Sequence, residues 1–316
     1  MFALRGIAIS FSVFLLVYCA LSLAVAFSWK RIHGWIRHYR VRRVADLLFA
    51  IRAFPFVAGV LVTAAFTVPS FLLLEPRAIH EPLGGAPLVL GICAATVGSV
   101  GVTRAMVALL RASRNVSGWA MEAKPGTPVA KVPVLRIRPA VPAMTAAGIL
   151  RPRVLVSGSA ESLLSERELQ TTLRHEIAHV RRRDNLKKLL LCFVAFPGMR
   201  ALETAWLEAT EMAADDAAVS NAGEALDLAA ALIKLSRLGS SEAVADLNAA
   251  LVQSSASIMN ARVERLIGWS DVRSETMQVV SIGYGLGAAF VTMTFLAITY
   301  FHLLSEVHTA TEWLMR

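Results

Sequence analysis

Long stretches without charged residues dominate the hydrophobic pattern of this chain. Four of them lack Asp, Glu, Lys and Arg, and they cover residues 6–29, 53–74, 82–103 and 276–305. A helix needs about 20 apolar residues to cross the hydrocarbon core of a bilayer, and each run reaches that length. The pattern therefore predicts about four transmembrane helices, with the chain embedded in a lipid bilayer.

The segment between the third and fourth runs has a mixed pattern. Short strands are predicted at 132–138 and Arg153–Ser157, because both are rich in Val and bounded by Pro or Gly. Ser165 and Glu168 form a capping box, so a helix should begin there and end near Arg183. The predicted buried stripe of this helix consists of Leu169, Leu173, Ile177 and Val180.

A short apolar stretch and further helices follow. Residues 189–199 are too few to span a membrane, so we expect a buried or membrane-surface helix that breaks at Pro197 and Gly198. Helices are also expected at 203–220, 223–238 and 257–268. The predicted fold class is a mostly α membrane protein, with about four transmembrane helices and a small α+β domain.

Positive charge orients the predicted spans. The segment 28–46 carries six Lys and Arg residues, and basic loops stay on the cytoplasmic side. The N-terminus and the connection near Glu75 are then outside, and the segment after the third span is cytoplasmic. The expected domains are 1–110 with three spans and a basic cytoplasmic loop, 111–275 as a cytoplasmic domain, and 276–316 with the fourth span and a short external tail.

Composition agrees with a membrane protein. Of the 316 residues, 56% are hydrophobic and 17% are charged, compared with about 25% charged in typical soluble chains. The net charge of +9 is concentrated beside the apolar runs. No basic stripe with interleaved aromatic residues occurs, so no nucleic-acid partner is expected. The three cysteines lie far apart in apolar stretches and indicate neither a disulfide framework nor a metal motif.

The helix predicted from Ser165 carries the candidate chemistry. It contains His175, Glu176 and His179 in the spacing His-Glu-x-x-His. Residues four apart lie on one face of a helix, so both imidazoles can reach one ion. Zinc accepts neutral imidazole nitrogens in a tetrahedral site. We therefore predict one Zn²⁺ per chain, with Glu176 as the catalytic base.

An acidic helix downstream supplies a candidate third ligand. Glu211 can complete the coordination, and Asp215, one turn later, can accept the free N–H of a zinc-bound histidine. Glu203 and Glu208 on the same helix are expected to face solvent.

Several motifs resemble a known family. Residues 175–184 read H-E-x-x-H-x-x-R-x-D, residues 211–215 read E-x-x-A-D, and Gly-Ile-Leu-Arg-Pro at 148–152 precedes the Val-rich strand. With the apolar runs, they resemble the BlaR/MecR-type membrane zinc metallopeptidases, the antirepressor family, over nearly the whole chain. The resemblance implies a zincin-like (gluzincin) peptidase domain that faces the cytoplasm from a bacterial inner membrane.

The resemblance also implies regulated proteolysis of a cytoplasmic repressor or of the chain itself. The expected partners are a protein or peptide substrate and the lipid bilayer, and a second copy of the chain, as a homodimer, is a further candidate partner. Asp184 is expected to support the metal site or a helix end, and Arg262 to act on the transition state or as a structural residue. A substrate segment is expected to pair beside Arg153–Ser157. The alternatives are an HtpX-like quality-control protease and a non-catalytic zinc-binding signal transducer.

The best-known members of this family carry a penicillin-binding sensor domain after the last span. Here residues 306–316 follow the fourth run, and they contain no Ser-x-x-Lys. Acylation by a β-lactam is therefore not the expected signal.

Overall fold

The structure is a computed structural model. It describes residues 2–36, 38–76, 84–121, 123–126, 128–137, 143–238, 256–269 and 299–314. The chain divides into two units. The first contains residues 1–26, 53–100 and 274–316, and the second contains residues 27–52 and 101–273.

Long apolar helices occupy the N-terminal third of the chain. They are α1 (Phe2–Ile36), α2 (Val41–Val62), which continues through a π-helical turn (Thr63–Thr67) into α3 (Val68–Leu74), and α4 (Gly85–Met121). The stretches Phe2–Ile36, Val41–Leu74 and Gly85–Trp119 are each long and apolar enough to cross a membrane. The first three predicted spans are thus confirmed as apolar helices. The fourth, at 276–305, lies outside the described residues except for 299–305, which are helical.

The basic segment predicted as a loop at 28–46 is mostly helical. Helix α1 continues to Ile36 and α2 begins at Val41. Lys and Arg are good helix formers, and their long side chains can reach water from a helix that extends beyond the hydrocarbon layer. The connection between the two helices is therefore much shorter than we predicted, although the charge pattern itself is unchanged.

Small residues bring the helices of the first unit close together. A Cβ at Gly6 of α1 would lie 2.7 Å from the ring of Phe71, and one at Gly91 of α4 would lie 3.4 Å from the Cα of Ala8. Glycine at such contacts lets membrane helices approach closely enough for dense packing. Phe2 also contacts Phe71, with ring centroids 4.7 Å apart.

A four-stranded sheet follows α4 in the described part of the second unit. Its strands are β1 (Lys124–Pro125), β2 (Val134–Ile137), β3 (Met144–Ala147) and β4 (Arg153–Ser157), in the order β1-β2-β4-β3. Strands β2 and β4 pair in parallel, and the other pairs are antiparallel. The two predicted strands are confirmed as β2 and β4, but β1 and β3 were not predicted. Because β4 is paired on both sides, our expectation that a substrate pairs beside it is wrong, and β3 is the edge strand on that side.

Among the described residues of the second unit, six helices follow the sheet. They are α5 (Gly158–Leu163), α6 (Glu166–Arg182), α7 (Asp184–Phe193), α8 (Arg200–Ala218), α9 (Ala222–Leu238) and α10 (Ala256–Ile267). The capping box is confirmed, since Ser165 N–H donates to Glu168 Oε2 at 2.7 Å and Glu168 N–H donates to Ser165 Oγ at 3.4 Å. Arg183 adopts a left-handed φ of 54° and ends α6. Helix α7 follows at once, so it begins earlier than predicted, and it ends before Pro197.

Helix α6 lies against the sheet and between other helices. It packs on β3, β4, α8 and α9. Ile177 is buried with Val154 and Val156 of β4, and the other members of the predicted stripe pack against the same cluster. This packing holds the His-Glu-x-x-His segment rigidly between the sheet and α8.

A buried arginine ties α2 to the helices beyond the sheet. Arg52 donates from Nε to Glu203 Oε1 at 2.9 Å and from Nη2 to the carbonyl oxygen of Val194. Our expectation that Glu203 faces solvent is therefore wrong, because a fully buried guanidinium needs a charged partner. Close packing recurs nearby, where a Cβ at Gly101 of α4 would collide with the carbonyl oxygen of Phe193 at the end of α7.

Gly148 forms the tight turn between β3 and β4. Its φ is +88°, and a Cβ there would lie 2.8 Å from the carbonyl oxygen of Arg151. We expect Gly148→Ala to lower the free energy of unfolding by about 1–3 kcal/mol. Gly158→Ala is the matched control, because nothing lies within 4 Å of its added Cβ. Thermal unfolding of the detergent-solubilised chain checks this, and equal melting temperatures for the two variants would contradict it.

Candidate active site

Helix α6 directs two imidazoles at one point. His175 and His179 are one turn apart, and their ring centroids are 4.8 Å apart. Their Nε2 atoms are separated by 3.1 Å. His175 is buried and His179 is largely covered. The sequence spacing predicted this pairing, and the capped, well-packed helix produces it.

Helix α8 brings Glu211 to the same point. Its Oε2 lies 3.6 Å from His175 Nε2, and its Oε1 lies 3.6 Å from His179 Nε2. Donors bonded at about 2.1 Å to a tetrahedral zinc are about 3.4 Å apart, so these spacings fit such an ion. The three residues form a group that could hold a metal ion. Within the part of the chain that the structure describes, Glu208 does not belong to this group.

Carboxylates hold the outer nitrogen of each imidazole. Asp215 Oδ1 lies 2.9 Å from His175 Nδ1, and Asp184 Oδ2 lies 2.8 Å from His179 Nδ1. Both aspartates are fully buried. Such contacts fix the orientation of the rings and leave each Nε2 available to a metal. Asp184 is also the first residue of α7.

Arg262 of α10 pairs with two of these carboxylates. It donates to Asp215 from Nε at 2.8 Å and from Nη2 at 2.7 Å. Its Nη1 lies 3.0 Å from Glu211 Oε2. The residue is 7% exposed, so its charge is compensated by these partners rather than by water. Arg262 therefore connects α10 to both acidic residues of α8.

Burial and charge act in opposite directions on this cluster. Burial lowers the pKa of His175, but the carboxylates of Asp215 and Glu211 outweigh it and raise the pKa to about 9. Burial raises the pKa of Asp215, yet Arg262 and His175 hold it at about 2. Against burial, His179 and Arg262 hold the pKa of Glu211 well below its usual range. The carboxylates therefore stay ionised and favour a cation at the histidines, either a proton or a metal ion.

Glu176 lies at the edge of the sheet. Its Oε2 accepts a hydrogen bond from the backbone N–H of Ala146 in β3 at 2.6 Å. Strands β3 and β4 are antiparallel, and the N–H of Ser157 in β4 donates to the carbonyl of Ala143. Residues of β3 alternate between facing β4 and facing away from it, so the N–H and C=O of Ala146 point away from β4. Glu176 thus contacts the edge of β3 that faces away from β4, which is open among the described residues, next to the two histidines on its own helix.

Asn185 is a second neighbour of that edge. Its Nδ2 donates to the carbonyl of Ala146 at 2.9 Å and to that of Gly148 at 3.2 Å. Sequence reasoning missed both Ala146 and Asn185. Strand β3 is short, with the sequence Met-Thr-Ala-Ala and no alternation, so only its pairing with β4 identifies it.

The geometry agrees with a family relationship. The family model described as BlaR1 peptidase M56 matches residues 92–267, which is more than half of the chain. The chain therefore belongs to this family. With three apolar helices of membrane-spanning length, it is a membrane-associated metallopeptidase. Among curated proteins, none matches this chain.

Removing the charge of Arg262 should destabilise the site. Asp215 would remain fully buried, and Glu211 partly buried, without their main compensating cation, and breaking a buried pair typically costs about 3–5 kcal/mol. We expect Arg262→Gln to reduce the free energy of unfolding by that amount. Arg265→Gln is the matched control on the same helix, because it removes a 2.6 Å contact with Asp216 between partly exposed side chains and should cost at most about 1 kcal/mol. Unfolding curves of the two variants give the comparison, and an equal loss in both would contradict it.

Proposed function

We propose that this chain is a zinc-dependent endopeptidase of the membrane, with His175, His179 and Glu211 as zinc ligands and Glu176 as the general base. One observation carries the proposal. Two imidazole nitrogens and one carboxylate converge at spacings of 3.1, 3.6 and 3.6 Å, while the adjacent Glu176 reaches the open edge of a strand.

The chemistry of the donors favours zinc. Two neutral imidazoles with one carboxylate are a typical ligand set of catalytic zinc, which leaves a position open for water or substrate. Bound there, zinc would supply Lewis-acid polarisation of the scissile carbonyl and a more acidic water. The contacts of Asp215 and Asp184 keep both Nε2 atoms directed at the ion.

Glu176 handles the proton. As a general base it would accept a proton from the attacking water, and it would later deliver that proton to the leaving amine. The hydrogen bond from Ala146 holds its carboxylate at the sheet edge. A substrate backbone at this edge would therefore lie within reach of the base.

Strand β3 is the proposed substrate-binding edge. An extended peptide can add to an open edge through backbone hydrogen bonds. The outward-facing groups of Ala146 are engaged by Glu176 and Asn185. A peptide that pairs at Ala146 must therefore replace two hydrogen bonds of that residue. They are the bond from Asn185 to the carbonyl of Ala146 and the bond from the N–H of Ala146 to Glu176.

The biological setting follows from charge and family. The six basic residues of segment 28–46, at the end of α1, in the connection and at the start of α2, favour a cytoplasmic position for that connection and for residues 111–275. We infer a bacterial inner-membrane enzyme that cleaves a cytoplasmic regulator or itself in a signalling response.

We expect Glu176→Gln to keep zinc and fold but to lose nearly all proteolysis. Glutamine has a similar shape but cannot accept a proton at neutral pH. Losing a general base typically costs about a hundredfold to ten-thousandfold in rate. The measurement is cleavage of an unstructured protein by wild type and variant, with zinc content measured in both. Cleavage at the wild-type rate would rule out Glu176 as the base, and a zinc-bound wild type without any proteolysis would favour the non-catalytic transducer.

Mutation of a residue that hydrogen-bonds to a metal ligand typically weakens metal binding by roughly 10–100-fold. We expect Glu211→Gln, which changes a proposed ligand itself, to weaken zinc binding by more than that. Glu208→Gln, on the same helix and also partly buried, should leave the affinity unchanged. Competition with a chelator of known affinity measures both. Weakened binding in the Glu208 variant with unchanged binding in the Glu211 variant would overturn the ligand assignment.

A further inference from the structure

A second group of metal-type side chains lies in the first unit, far from His175 in sequence. Glu75, His308 and Glu312 place one potential ligand atom each within 4.8 Å of the others. His308 Nδ1 lies 3.9 Å from Glu75 Oε2, and His308 Nε2 lies 3.4 Å from Glu312 Oε1. An imidazole offers an ion only one of its two nitrogens, and with one atom taken from each residue the three ligand atoms lie within 4.8 Å of one another, compared with roughly 3.4 Å between neighbouring ligands of a tetrahedral zinc ion.

Two of these atoms are buried and have no hydrogen-bond partner among the described residues. They are Glu75 Oε2 and His308 Nδ1. The Glu75 side chain is only 5% exposed. An ionised oxygen in such a place carries a desolvation penalty unless a cation or donor compensates it. The two unpaired atoms face each other, so one ion could compensate both.

Arg5 orients the Glu75 carboxylate through Oε1 and not through Oε2. Its Nη2 lies 3.1 Å from Glu75 Oε1, which leaves Oε2 directed at His308. Two carboxylates, those of Glu75 and Glu312, thus lie beside His308, and the guanidinium of Arg5 contacts one of them. A divalent cation is therefore electrostatically favoured there.

The packing of the first unit brings these residues together. The hydroxyl of Tyr300 donates to the carbonyl of Ala65 at 2.8 Å, and Ser70 Oγ donates to the carbonyl of Leu304 at 3.1 Å. The helical segment 299–314 and the helix ending in α3 thus run side by side in the same direction. About one helical turn further along both helices, His308 lies beside Glu75. The two hydrogen bonds therefore hold the cluster residues near one another.

The geometry points to a second divalent-metal site, formed by Glu75, His308 and Glu312, that is separate from the proposed catalytic zinc. One imidazole with two carboxylates suits a first-row transition ion such as Zn²⁺ better than Ca²⁺, which takes six to eight oxygen ligands. The bound ion joins the end of α3 to the segment 299–314. By the charge pattern, Glu75 follows a span that leads outward, so the ion is taken from outside.

The test is a count of bound ions on the full-length chain in lipid nanodiscs. The protein is stripped with chelator, dialysed against buffered Zn²⁺ and analysed for metal. We expect two zinc ions in wild type and one in His308→Ala. His302→Ala is the matched control, because this histidine is exposed on the same helical segment, and it should keep two. Equal zinc content in the His308 and His302 variants overturns the site, as does preferential binding of Ca²⁺.

A second variant covers the case in which His308→Ala does not fold. The Glu312 side chain is 46% exposed, so Glu312→Gln should fold and weaken the second zinc by about tenfold or more. Glu306→Gln, exposed on the same segment, should not, and equal affinities in these two variants also overturn the site. His175→Ala separates the two assignments. It should keep one zinc, whereas two retained ions would refute the catalytic ligands and leave the second site standing.

Discussion

The buried ion pair between Arg262 and Asp215 holds the candidate metal site together. Asp215 contacts His175 on α6, while Arg262 contacts both Asp215 and Glu211 on α8. An unpaired charge at this depth would cost several kcal/mol, so the three helices must stay in register for the charges to be satisfied. The same contacts fix the ring of His175 and the carboxylate of Glu211, and the arrangement of the candidate ligands therefore depends on a residue that does not itself belong to their group.

The sequence predicted those parts of the site that depend on local geometry. His175, Glu176 and His179 lie on one capped helix, and Asp215 is one turn from Glu211, so their spacing alone relates them. Arg262 was identified only as a candidate with two possible roles, because it pairs with Asp215 across 47 residues. No short-range pattern encodes a contact of that kind, which arises only when α10 packs against the rest of the domain.

The sheet illustrates the same division. The bounds of Arg153–Ser157 were predicted because a Val-rich strand between Pro and Ser-Gly is recognisable by itself. The central position of β4 in the sheet was not predicted, since strand order depends on pairing between distant segments. Strand β3 forms because β4 offers it a partner, and its neighbours Glu176 and Asn185 come from α6 and α7. The edge of the sheet and the metal centre are thus held together by one pair of consecutive helices.

Helix α7 gives the centre a mechanical connection to the third apolar helix. It starts with Asp184, which holds His179, and it ends at Phe193, whose carbonyl touches Gly101 of α4. A ten-residue helix is a rod of about 15 Å, and Arg183 joins it to α6 without an intervening loop. One ten-residue element thus separates the contact with Gly101 in the third apolar helix from the carboxylate that orients His179.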